Sequence, residues 1–208
     1  MSQTIAKPNY GRLTFDVEGQ ENPGSIYHSR HLHVPGPTSG LTIGRGFDMK
    51  NRTSAQIRAD LVAAGVPAAK AALLSQAAGL AGDQAENFIQ ENDLEDFEIT
   101  PEAQLKLFKI DFDWHANDCK RIATKEDVVR RYGPTNWETL NQTIKDVVVD
   151  LRFRGDYTPR CRGFLQAHIV ANDLRKFSDE ICDRTNWPNV PKDRFEQRRK
   201  YCQAALEI

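Results

Sequence analysis

Seven of the chain's 13 glycines and three of its 10 prolines fall between residues 9 and 52. Turn formers at that density exclude a long helix or strand, and they interrupt two short β-prone runs, Ser25-Ile26-Tyr27-His28 and Leu41-Thr42-Ile43. Ahead of them Leu13, Phe15 and Val17 make an apolar-periodic segment ending at Glu18-Gly19. The region predicts a short helix followed by a small β-hairpin or meander.

From residue 53 the signals become helical. Thr53-Ser54-Ala55-Gln56 has the spacing of a capping box, Ile57, Leu61 and Ala64 share a face, and Gly65 with Pro67 gives a stop. Thr100-Pro101-Glu102 opens a second helix in which Ala103, Leu107, Ile110 and Trp114 form a buried stripe, so a long central helix is expected. Further helical stripes are Ile144, Val147, Val148 and Leu151, then Phe164, Leu165, His168 and Ile169, then Val190, Phe195, Cys202 and Leu206. The fold class is α+β, mainly α: a single domain over residues 1–208, with a helix and small β lobe at 9–52 and a helical lobe at 53–208.

A chain of 208 residues buries roughly 70% of its unfolded surface and needs no metal or disulfide to hold a core. Charged residues break every apolar stretch, which excludes a membrane span. The start, Met1 to Pro8, lacks the apolar core of a secretory signal. Cys119, Cys161, Cys182 and Cys202 form no C-x-x-C pair and are expected as plain thiols ahead of one or two disulfides, between which their even number does not decide. The formal net charge is −1, although residues 83–118 carry 11 acidic side chains against 2 basic, a local block expected on a solvated face. Arg152, Arg154, Arg160 and Arg162, followed by Arg194, Arg198, Arg199 and Lys200, could form a basic face, but the whole is too nearly neutral for nucleic acid to be a partner.

The informative stretch is Asp16-Val17-Glu18-Gly19 followed by Ser39-Gly40-Leu41-Thr42-Ile43-Gly44-Arg45-Gly46-Phe47-Asp48. Glu18 closes the first helix before a glycine, where its carboxyl can project into a cleft, and partial desolvation there raises a carboxyl pKa toward that of a general acid. Glu21 and Asp16 are the nearest rival acids. On an extended strand Thr42, Gly44 and Gly46 share a face with Asp48 at its end, so a hydroxyl and a carboxylate line one wall. Inverting glycosidic hydrolysis uses such a pair to hold and deprotonate water opposite an acid. Arg45 alternates away from Thr42 and reads as a scaffold or rim charge. His31 and His33 would share a strand face as half a metal site, but no third ligand has convincing spacing and no metal is assigned.

Together these residues resemble the phage-type lysozyme superfamily, in particular the muramidase domain of pesticin-like bacterial toxins. The family pairs a Glu in Glu-Gly with a Thr in Ser-Gly-x-Thr-Ile-Gly and an Asp six residues after the Thr, matched here by Glu18, Thr42 and Asp48. The likeness is sharp over residues 14–50 and diffuse beyond. It implies a lysozyme-like fold with a substrate groove between a small β-containing lobe and a larger helical one joined by a long helix. It further implies hydrolysis of the β-1,4 bond between N-acetylmuramic acid and N-acetylglucosamine, with Glu18 as acid, Asp48 and Thr42 activating water, and no cofactor. Tyr157, Trp137 and His33 are expected to contact glycan. The partners so implied are peptidoglycan strands and a dedicated inhibitor protein, and the protein is expected as a monomer made in the cytoplasm and delivered to the wall by a secretion machine, a pore or lysis. Other readings are a chitinase-like hydrolase, a lytic transglycosylase using one glutamate, or a non-catalytic wall-binding module.

Overall fold

The computed structural model describes residues 7–22 and 28–207. Residues 25–27 of the first expected strand lie outside the described residues; His28, at its end, forms a parallel bridge with Gln20. In chain order the elements are α1 (Arg12–Val17), β1 (Thr42–Ile43), β2 (Phe47–Asp48), α2 (Ser54–Ala64), α3 (Ala68–Leu74), α4 (Asp83–Glu91), α5 (Pro101–Ala123), α6 (Glu126–Tyr132), α7 (Gln142–Arg154), α8 (Pro159–Val170), α9 (Leu174–Cys182) and α10 (Lys192–Leu206). Single 3₁₀ turns sit at Ser75–Ala77 and Arg184–Asn186. The class is α+β, mainly α, with one two-stranded antiparallel sheet among the described residues.

The chain divides into two compact units, one holding Glu18–Asp111 and the other Asn9–Val17 with residues 112–207. In the first, β1 and β2 form a hairpin that sets Thr42 opposite Asp48 and Ile43 opposite Phe47. The hairpin expected in this region is present, and it places Thr42 and Asp48 on opposed strands instead of along one extended face. Gly44 (φ +66°) and Gly46 (φ +94°) adopt the left-handed region that only glycine enters without strain, and the chain reverses between them. Leu41, Ile43, Phe47 and Met49 from the hairpin region share a core with Ile57 and Leu61 of α2.

Local chemistry starts and stops α2 as its sequence predicts. The Gln56 N–H donates to Thr53 Oγ1 (3.2 Å), the Thr53 N–H donates to Gln56 Oε1 (2.9 Å), and Gly65 ends the helix at φ +101°. α5 starts where Thr100 Oγ1 accepts from the Ala103 N–H (3.1 Å). Its residues 101–111 belong to the first unit and 112–123 to the second. Trp114 is therefore not part of one continuous buried stripe: Ala103, Leu107 and Phe108 are buried in the first unit and Phe112, Cys119 and Ile122 in the second, and this turn of the buried face leaves Trp114 55% exposed.

In the second unit α1 packs on α7 and α10. The Gly11 N–H donates to Oδ1 of buried Asp146 (3.3 Å), and the Tyr201 hydroxyl donates to its Oδ2 (2.6 Å). Ile144, Val147, Val148 and Leu151 of α7 are buried as expected. The arginines expected to form a basic face are largely consumed in ion pairs. Asp150 is fully buried between Arg194 and Arg198 (2.6 Å each), Arg198 also reaches Asp156 (2.9 Å), Arg152 pairs with Asp118 (2.6 Å), and Arg154 pairs with Asp156 (2.6 Å). Burying a guanidinium requires such partners, because unpaired it would lose its hydration without return. All four cysteines are free thiols, and no described helix is long and apolar enough to cross a membrane.

The Thr53 cap predicts that Thr53→Ala lowers unfolding free energy by about 1 kcal/mol in urea denaturation. An unchanged midpoint would show that the cap contributes nothing.

Candidate functional site

Glu18 follows directly on α1 and is half-buried. The next residue has no room for a side chain: a Cβ on Gly19 would lie 2.8 Å from Ser29 Cβ and 2.9 Å from Arg45 Cγ. Glycine lets the backbone after Glu18 lie directly against the hairpin turn. There Arg45, 4% exposed, donates from Nη1 to the Gly19 carbonyl (2.8 Å) and from Nη2 to Glu21 Oε1 (3.1 Å). Arg45 is thus a scaffold charge that ties the Glu18 segment to the β1–β2 turn.

Glu21 also accepts from Arg30 Nε (2.9 Å) and from the Gln104 amide. Burial pushes its pKa up, but the bonds from Gln104, Arg30 and Arg45 outweigh that effect and hold it below the usual carboxylate range. An acid held ionised by two guanidinium groups is a poor proton donor at neutral pH, which removes Glu21 as a rival to Glu18. Asp16 is exposed on α1, in the second unit.

Thr42 and Asp48, as directly opposed residues of the hairpin, project from the same face. Thr42 is buried, and its Oγ1 donates to the Gly40 carbonyl (3.1 Å). Asp48 is half-buried; Oδ1 accepts from the Lys50 N–H (2.7 Å) and Oδ2 from the Gly40 N–H (3.2 Å). A Cβ at Gly40 would come within 2.3 Å of Asp48 Oδ1, so glycine there is what admits the carboxylate. Each carboxylate oxygen retains acceptor capacity beyond its one backbone bond.

Behind Asp48 lies a cluster that spacing in the sequence does not reveal. Arg52 donates from Nε to the Asp48 carbonyl (3.0 Å) and from Nη2 to Asp111 Oδ1 (2.5 Å), and its Nη1 is 3.6 Å from Asp60 Oδ2. Its guanidinium also stacks over the Phe47 ring at 4.1 Å. Burial pushes the Asp111 pKa up from 3.8 to about 6; Arg52 opposes the rise, and Asp60 and Asp48 reinforce it. A perturbed buried carboxyl beside a proposed base is the kind of group that functional sites collect, and also the kind that ion-pair scaffolds collect.

Of the residues expected to contact glycan, His33 is half-buried and pairs its backbone with Thr42 through two hydrogen bonds of 3.0 and 2.9 Å. Its Nδ1 donates to the His31 carbonyl (3.0 Å), and burial lowers its pKa, with that bond acting in the opposite sense. Trp137 is half-buried in the turn before α7. Tyr157 is buried, with its hydroxyl donating to Gln166 Oε1 (2.7 Å); a ring so placed packs inside the second unit instead of presenting a face to a sugar.

The Asp111 shift carries a pH dependence. Between 3.8 and about 6 the folded protein binds more protons at this position than the unfolded chain, so the contribution to stability is full below that window and is lost as pH rises through 6. Relative to Asp111→Asn, the wild type should lose on the order of 2–3 kcal/mol across the window, read by urea denaturation at several pH values. A stability difference that stays flat from pH 4 to 7 would refute the assignment.

No curated protein matches the chain. A family model described as a domain of unknown function (DUF8812) matches residues 11–199, which include Glu18, Thr42, Asp48 and the supporting arginines. With all but the two ends of the sequence inside that match, the chain belongs to the DUF8812 family.

Proposed function

We propose that the protein is a peptidoglycan-cleaving glycosidase of lysozyme-like fold, a muramidase acting on the β-1,4 bond between N-acetylmuramic acid and N-acetylglucosamine. The observation that carries this reading is the pairing of Thr42 with Asp48 across a hairpin whose turn, through Arg45, grips the backbone immediately after Glu18. Glu18 donates a proton to the glycosidic oxygen as the bond to the anomeric carbon breaks. A water that donates one hydrogen bond to the Asp48 carboxylate and one to the Thr42 oxygen attacks that carbon, and its proton passes to Asp48. The Thr42 hydroxyl hydrogen is already directed to the Gly40 carbonyl, so its lone pairs are what it offers to that water.

A second reading has its own support. Both Asp48 oxygens already serve backbone N–H groups, and Thr42 is buried, which are features of a pair that fixes a turn. On that reading Glu18 works alone, as in a lytic transglycosylase: it protonates the leaving oxygen and then takes the proton of the muramic acid O6 hydroxyl as that oxygen bonds to its own anomeric carbon in place of water.

Clearing of purified sacculi tests both. Under the first reading Glu18→Gln and Asp48→Asn each fall about 10²–10⁴-fold while circular dichroism stays native. Near-full activity in Asp48→Asn, with anhydro products by mass spectrometry, would transfer support to the transglycosylase. Lysis by Glu18→Gln at the wild-type rate would end both readings.

A further inference from the structure

The first unit holds another group of chemistry-bearing side chains, brought together by backbone pairing across a long stretch of sequence. His31 forms an antiparallel bridge with Glu98, and the Ile99 N–H donates to the Arg30 carbonyl (3.1 Å). This pairing gathers His28, His31 and Glu98 so that one potential ligand atom from each lies within 4.8 Å of the others. Nε2 of His28 is 3.3 Å from Glu98 Oε1, and Nε2 of His31 is 3.8 Å from Glu98 Oε2.

His28 supplies an independent observation. It is 3% exposed, yet neither ring nitrogen has a hydrogen-bond partner among the described residues. Its Nε2 points toward Glu98 outside hydrogen-bond geometry, and its ring stands edge-on to His31 with centroids 5.1 Å apart. A buried polar atom left unbonded costs about 1–3 kcal/mol, so an imidazole in this state calls for a partner. A metal ion would be that partner. Ligand atoms about 2.0–2.1 Å from a tetrahedral zinc stand roughly 3.3 Å from one another, and the 3.8 Å between His31 Nε2 and Glu98 Oε2 needs only a small side-chain adjustment to reach that spacing.

We propose that His28, His31 and Glu98 bind a divalent transition-metal ion of the zinc class through two imidazole nitrogens and one carboxylate oxygen. The nitrogen-rich donor set disfavours calcium and magnesium, which take oxygen ligands. Arg30 acts as an outer partner: its Nη1 holds Glu98 Oε1 at 2.7 Å, leaving Oε2 for the metal, while its Nε pairs with Glu21. Glu21, which Arg30 shares with Arg45, offsets part of the guanidinium charge that would otherwise oppose a cation. With three protein ligands, one tetrahedral position remains for water. The ion would staple residues 28–31 to the stretch leading into α5, and through Arg30 and Glu21 it would stiffen the segment after Glu18. Metal binding is independent of glycan cleavage and stands whether or not the proposed hydrolysis does.

The test uses the full chain, stripped with chelator, dialysed and titrated with Zn²⁺ by calorimetry, then loaded with Co²⁺ for absorption spectroscopy. One equivalent should bind, with cobalt bands of nitrogen and oxygen ligation and no thiolate charge-transfer band. His31→Ala and Glu98→Gln, both at partly exposed side chains, should abolish that equivalent while circular dichroism stays native. Absence of binding, thiolate bands that assign the ion to the cysteines, or one-equivalent binding retained in either variant would overturn the proposal.

Discussion

Arg45 is the interaction on which the first unit depends. Its guanidinium sits almost wholly out of water in a three-residue hairpin turn, where an uncompensated cation would cost several kcal/mol. That cost obliges the neighbouring chain to supply acceptors, and the segment after Glu18 supplies two, the Gly19 carbonyl and the Glu21 carboxylate. Each answer brings its own constraint. Gly19 must lack a side chain for the approach to be possible, and Glu21 must stay ionised, which Arg30 and Gln104 assist. A single buried charge thus fixes the loop that carries Glu18 against the turn that separates Thr42 from Asp48.

Features set by neighbours in sequence were legible before any coordinates. The capping box of α2, the αL glycine that ends it, the Thr100-Pro101 start of α5 and the buried face of α7 all follow from contacts within a few residues. The conjunction of Thr42 and Asp48 was legible as well, but by the wrong geometry. Even spacing on an extended strand and direct opposition across a hairpin both put two side chains on one face, so the same conclusion survived although the chain reverses at Gly44 and Gly46.

What sequence could not show depends on partners distant along the chain. Trp114 is in phase with Ala103 and Leu107 on an ideal helix, yet α5 serves a different core in each unit, and periodicity carries no mark of where the change falls. The run of arginines in α7 and α10 looked like a basic surface because charge was read without Asp150 and Asp156, which lie in and beside the same helices and neutralise them. The histidines were weighed as His31 with His33, two positions apart. The backbone instead directs the His33 ring to the His31 carbonyl and sets His31 beside Glu98.

The acidic residues around the first helix illustrate how position, more than residue type, assigns a role. Asp16, Glu18 and Glu21 occur within one short stretch and are chemically near-equivalent. Asp16 is exposed on α1, in the unit that does not contain the hairpin. Glu21 is committed to two arginines and an amide, so protonating it would leave Arg45 buried without its carboxylate. Glu18 lies between them in the chain, half-buried, in the unit with Thr42 and Asp48, where its backbone neighbour is clamped. For the proposed chemistry a proton donor must be held in place relative to the pair that activates water. Because Arg45 grips the Gly19 carbonyl and the Glu21 carboxylate, the clamp fixes Glu18 through the backbone beside it and through the acid three residues on.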